Sequence, residues 1–147
     1  MRSTPGSLTA LVLALACGGR TGAPAGSPPV YNPGVVEEPI TAVLVAALEA
    51  DRQFTTADSL WDPEATVVAD GSPRYAPPRF AGIGVGGEVA ITSSRLEVRQ
   101  SLVWVYFDYR WISLKEGIAR EGKATMLLTP REGGGWKIIH LHTSTAQ

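Results

Sequence analysis

Two stretches decide the fold. They are Gly122-Lys123-Ala124-Thr125-Met126-Leu127-Leu128 and, past a glycine turn, Gly135-Trp136-Lys137-Ile138-Ile139-His140-Leu141-His142-Thr143-Ser144. Their aromatic, β-branched and long apolar residues suit a pleated, half-buried surface, and neither contains proline. They read as strands over residues 119–129 and 136–144, joined by a hairpin turn at residues 131–135. Working outward, residues 102–112 form a strand turned by Lys115-Glu116-Gly117, and residues 89–98 form another. Thr66-Val67-Val68-Ala69 is a short strand ending at the turn Asp70-Gly71. Ahead of these lie helical signals. Glu37-Glu38-Pro39 places acidic groups and proline at a helix start. Ile40, Val43, Leu44, Ala47 and Leu48 then recur at helical spacing toward Gln53. Thr55 and Asp58 have capping-box spacing before Leu60 and Trp61, which predicts a short second helix stopped by Asp62-Pro63. Helices followed by consecutive antiparallel strands make an α+β domain with helices on one sheet face.

Composition narrows the function. The chain has 147 residues, 44% of them hydrophobic, and a formal net charge of −1. That is enough apolar material for one core, and too little positive charge for a dedicated nucleic-acid surface. One cysteine excludes a disulfide framework. Residues 72–87 are rich in glycine and proline and read as irregular. Within them Gly82-Ile83-Gly84-Val85-Gly86-Gly87 matches a dinucleotide loop by letter. Such a loop needs a long helix after it, and here a strand follows.

The first forty residues give an address. Leu8 to Ala16 is an apolar run of nine residues behind Arg2, far short of the ~20 a membrane-spanning helix needs. Residues 1–16 therefore read as an export signal peptide. Ala14-Leu15-Ala16-Cys17 resembles a bacterial lipoprotein box, which implies lipidation at Cys17 and a place in the cell envelope. Ordinary secretion or a soluble periplasmic protein is the alternative. Residues 18–38, rich in proline and glycine, read as a tether, and residues 39–147 as the folded domain.

The two stretches quoted at the outset resemble the C-terminal signature of SnoaL-like domains, of the nuclear transport factor 2-like superfamily. Asp108-Tyr109-Arg110-Trp111, and Asp58-Ser59-Leu60-Trp61 leading into Ala65 to Asp70, fit the same pattern. The resemblance implies a strongly curved sheet wrapped around a long N-terminal helix, a cone with a pocket for a small apolar ligand. It also implies a homodimer through the outer sheet face. The chain departs from the pattern at residues 72–87, where many members place a third helix.

Strand alternation assigns the candidate side chains. On the last strand Trp136, Ile138, His140 and His142 fall on one face, with Lys137, Ile139, Leu141 and Thr143 on the other. On residues 102–112, Val103, Val105, Phe107, Tyr109 and Trp111 oppose Trp104, Tyr106, Asp108 and Arg110. His140 and His142, with Asp108, are the candidate acid–base set, since imidazole titrates near neutrality. A structural role for the His-x-His pair is the competing reading. Two histidines need a third ligand, Asp108 or Asp70, to make a catalytic zinc site, and nothing in the spacing supplies it. No metal or cofactor is expected. Asp108 and Arg110 share a face as a candidate ion pair. Trp61, Asp70, Tyr109, Trp111, Trp136 and Ile138 are the candidate pocket wall. The resemblance implies three functions: a non-catalytic small-molecule binder, an isomerase, dehydratase or cyclase with an Asp/His pair, or an assembly module.

Overall fold

The computed structural model describes residues 33–77 and 79–146, with side chains from Val36 onward. The signal peptide, Cys17 and most of the tether lie outside the described residues. Among the described residues one helix, α1 (Pro33–Arg52), precedes six strands: β1 (Trp61–Ala69), β2 (Ser72–Pro73), β3 (Glu88–Arg99), β4 (Leu102–Ser113), β5 (Ile118–Pro130) and β6 (Trp136–Thr145). The strands form one sheet in the order β2-β1-β6-β5-β4-β3. Its inner face curls over α1, which contacts β3 and β6. The core lies between them, with Ile40, Leu44, Ala47 and Leu48 of α1 buried against Val103, Val105, Met126, Leu128, Ile138 and Leu141.

Three local expectations are corrected. Helix α1 starts at Pro33, within the stretch read as tether, so Pro39 falls inside the helix. A proline there removes one hydrogen bond and crowds the carbonyl four residues back, and the buried stripe from Val36 to Leu48 outweighs that cost. Residues 55–57 are irregular and 58–60 make a turn, with no second helix here. Trp61 instead opens β1, because the chain there pairs with β6: the Ile138 N–H donates to the Leu60 carbonyl (2.8 Å). Pro63 is tolerated because residues 62–65 fall at a register irregularity and leave the ladder. Finally, β1 runs parallel to β6, so the sheet is mixed rather than wholly antiparallel.

The last strand holds the most consequential departure. Leu128 pairs with Ile138, but Leu127 pairs with His140, so Ile139 is an extra residue in β6. That bulge resets the alternation. Ile138 and Leu141 are both fully buried on the inner face, whereas His140 and His142 turn outward. Strict alternation would have left Leu141 in water or buried two imidazoles. The bulge avoids both penalties.

Candidate functional site

The deepest polar groups sit where the end of α1, β4 and β6 meet residues 79–81, and they are spent on the protein itself. Asp51 continues the inward stripe of α1 and is buried, 3% exposed. Its Oδ2 accepts the N–H groups of Arg79 (2.7 Å) and Phe80 (2.5 Å). Burial pushes its carboxyl up to about 6, against the pull of those two N–H donors and the Arg79 charge. Tyr109 donates its hydroxyl proton to the Ala81 carbonyl (2.5 Å), so Thr143 donates to the Tyr109 oxygen (2.6 Å). The Ala81 N–H in turn points at the Thr143 oxygen (3.4 Å). Burial pushes the Tyr109 phenol up to about 12.

These bonds hold residues 79–87 as a strap across the cone. Trp111 donates from Nε1 to Gly86 (2.8 Å), and the Gly86 N–H donates to the last carbonyl of α1, that of Arg52 (2.6 Å). Phe80 and Ile83 fill the interior beneath, Phe80 edge-on to Phe107 and Tyr109. Gly84 and Gly122 are where rings press on backbone. A Cβ at Gly84 would stand 2.7 Å from the Trp111 ring, and one at Gly122 would collide with the Tyr109 ring.

An open groove lies beside this filled interior, between the N-terminal half of α1 and strands β3 and β4. Its volume is about 390 Å³. Ile40, Leu44, Ile91, Leu96 and Val105 supply the apolar wall, and Glu37, Thr41 and Ser94 supply the polar groups. None of these polar residues is buried. Among the described residues, no group of three or more His, Cys, Asp or Glu is placed to hold a metal ion.

No family model matches this sequence, and no curated protein matches it by sequence. Solved structures do match in shape. A protein of the nuclear transport factor 2 (NTF2-like) superfamily from Salmonella enterica serovar Typhimurium superposes with a TM-score of 0.58 at 15% identity, covering 78% of this chain and 93% of that one. The fold is NTF2-like. A provisionally assigned ketosteroid isomerase from Parabacteroides distasonis gives 0.56 at 14% identity over 74% of this chain and 86% of its own. The S. rosetta CaMKII hub gives 0.55 at 16% identity, over 80% and 99%. At these identities the likeness is one of fold alone.

The NTF2-like cone scatters the residues singled out from the sequence. Trp61, Tyr109, Trp111 and Ile138 are buried core, and Trp136 packs half-buried against it. None of them lines the groove. Arg79 stacks on Trp61, 4.2 Å from the ring centroid. Asp70 accepts the backbone N–H (2.7 Å) and the hydroxyl (3.1 Å) of Thr145, tying down the end of β6. On the outer face His140 Nδ1 meets the Thr66 hydroxyl at 2.6 Å, and His142 stands beside Thr125 and Val68. Asp108 accepts a hydrogen bond from Ser93 (2.8 Å) and forms no ion pair with Arg110. The two histidines pair with β5 and β1, whereas Asp108 lies on β4, so the set does not converge.

Sequence reading missed Glu37, Thr41, Ser94 and Asp51 as site residues. Asp51 did carry a signal: it extends the series 40, 44, 47, 48 on the apolar stripe, where a carboxylate needs buried partners. Ser94 carried none, because a bulge at Thr92 sets which face it takes.

Proposed function

We propose that this chain is a non-catalytic binding domain that holds a small apolar ligand in the groove between α1 and strands β3 and β4. It works outside the cytoplasm, anchored through lipid on Cys17. The observation that carries the binding role is the groove, whose volume falls within the ~300–1,000 Å³ usual for ligand pockets. Among the described residues its only titratable lining group is Glu37, whereas acid–base turnover needs partners within hydrogen-bond reach of one reacting centre. The histidines and Asp108 face away from it. The address is supported by the apolar run from Leu8 to Ala16 and the box-like Ala14-Leu15-Ala16-Cys17.

N-phenyl-1-naphthylamine, a neutral apolar fluorophore, tests this reading. It is expected to brighten on binding the intact protein, with a dissociation constant on the order of micromolar. Thr41→Trp puts an indole across the groove and abolishes the brightening. Thr41 is exposed, so the unfolding free energy should move by less than about 0.5 kcal/mol. Brightening that survives the substitution, or none in the wild-type protein, rules the groove out.

A specific feature also supports self-association. Trp104, Tyr106 and Leu127 sit near the middle of the outer sheet face, Tyr106 40% exposed, with His140 and His142 beside them. A second copy covering this face would bury aromatic anchors of the kind that dominate interfaces. Sedimentation equilibrium is expected to show a homodimer. Trp104→Lys should raise its dissociation constant by roughly thirtyfold or more. A wild-type monomer at micromolar concentration ends this reading.

A further inference from the structure

We propose that the groove selects amine-bearing amphiphiles: molecules with an apolar body and a protonated amino group, held by the Glu37 carboxylate with the Thr41 and Ser94 hydroxyls. The inference rests on the groove being the ligand site, and it adds the chemical class of the ligand.

The polar groups of the groove are few and set among apolar ones. Glu37 and Thr41 lie one turn apart on α1, with Ile40 between them in sequence and Leu44 following on the same side. Across from them, the inner-face row of β3 reads Val89, Ile91, Ser94, Leu96 and Val98. Ser94 is a lone hydroxyl in an apolar series. Among the described residues, the side chains of Glu37, Thr41 and Ser94 make no hydrogen bond or ion pair with the protein. The interior groups Asp51, Tyr109, Thr143 and Trp111 all do.

The free capacity is acceptor-rich. A carboxylate only accepts, each hydroxyl accepts as well as donates, and an ammonium carries three donors and no acceptor. Charge points the same way. Among the described residues, no lysine, arginine or histidine lines the groove. Arg95, next to Ser94 in sequence, takes the opposite sheet face and pairs with Glu97 at 2.8 Å. A carboxylate or phosphate ligand would therefore meet Glu37 with no counter-charge. Glu37 also lies past the first turn of α1, beyond the reach of the helix dipole's positive end.

Isothermal titration of the intact protein with decylamine, decanol and decanoate, each below its micelle concentration or solubility limit, tests the headgroup with the apolar body fixed. Decylamine is expected to bind roughly fivefold tighter than decanol, the size of a partly exposed ion pair, and decanoate weaker than either. Raised salt should narrow the gap. Glu37→Gln should bring decylamine to within about twofold of decanol and leave decanol unchanged. Equal affinity for the three in the wild-type protein, a preference for decanoate, or an amine preference that survives Glu37→Gln would each overturn the proposal while leaving the groove as an apolar site. Failure of all three to bind would remove the groove reading itself.

Discussion

Gly122→Ala is expected to lower the unfolding free energy by about 3 kcal/mol, read as a shift of the urea midpoint at unchanged slope. On an ordinary strand the change would help, since glycine in a strand interior is worth about 0.5–1 kcal/mol less than alanine. At this position the sign reverses. A Cβ on residue 122 would occupy the space of the Tyr109 ring, whose hydroxyl closes the loop of hydrogen bonds through Ala81 and Thr143. Moving the ring costs packing strain of about 1–3 kcal/mol, and misplacing the hydroxyl leaves the buried Ala81 carbonyl unpaired for a similar loss. Tyr109→Phe isolates the second part, at about 1–2 kcal/mol. In the Tyr109→Phe background Gly122→Ala should cost about 1 kcal/mol less, because the hydroxyl can be lost only once. A neutral or stabilising Gly122→Ala would mean that the ring does not lie against this strand.

Asp51 gives the second large effect, and its sign depends on pH. The folded carboxyl titrates at about 6, against 3.8 for its ordinary value. A folded state that holds the proton more tightly than the unfolded state gains stability as pH falls through this window. Asp51 therefore stabilises the domain below about pH 4, and that contribution is lost as pH rises past 6. Between pH 4.5 and 7.5 the change is about 2 kcal/mol. An asparagine at this position would keep an amide oxygen for the Arg79 and Phe80 N–H groups without the charge. Asp51→Asn should thus gain about 2 kcal/mol on the wild-type protein in going from pH 4.5 to 7.5. Asp51→Ala leaves the buried Phe80 N–H and the part-buried Arg79 N–H unpaired and should cost about 2–4 kcal/mol at pH 7.5, freeing residues 79–87. Parallel pH profiles for the wild-type protein and Asp51→Asn would show that the carboxyl is not desolvated.

The sheet was legible wherever side chains alternate without interruption. In β4 the buried set Val103, Val105, Phe107, Tyr109 and Trp111 is the one that alternation gives. It failed where one inserted residue decides the face. The bulge at Ile139 moved both histidines outward, and the one at Thr92 brought Ser94 inward. Such insertions are settled by which apolar residues find a core, a tertiary question that strand period does not encode. Residues 55–63 misled for a related reason: capping-box spacing and a proline describe a local helix, but pairing of Trp61 with Ile138 outweighs it. The aromatics that spacing assigns to a pocket wall instead fill the cone beneath the strap, because a domain this small needs them as core.

The parallel pairing of β1 with β6 also constrains the order of events during folding. Residues 136–145 form a strand inside the sheet, flanked by the β1 strand of residues 61–69 on one side and by β5 on the other. Until they arrive, β1 has only two residues of β2 to pair with, and the inner face lacks Ile138 and Leu141. The hairpins of β3, β4 and β5 can assemble locally, but closure must span some seventy residues of chain, a contact of high order that slows the final step. The core of this domain therefore cannot close until residues 136–145 have paired on both sides.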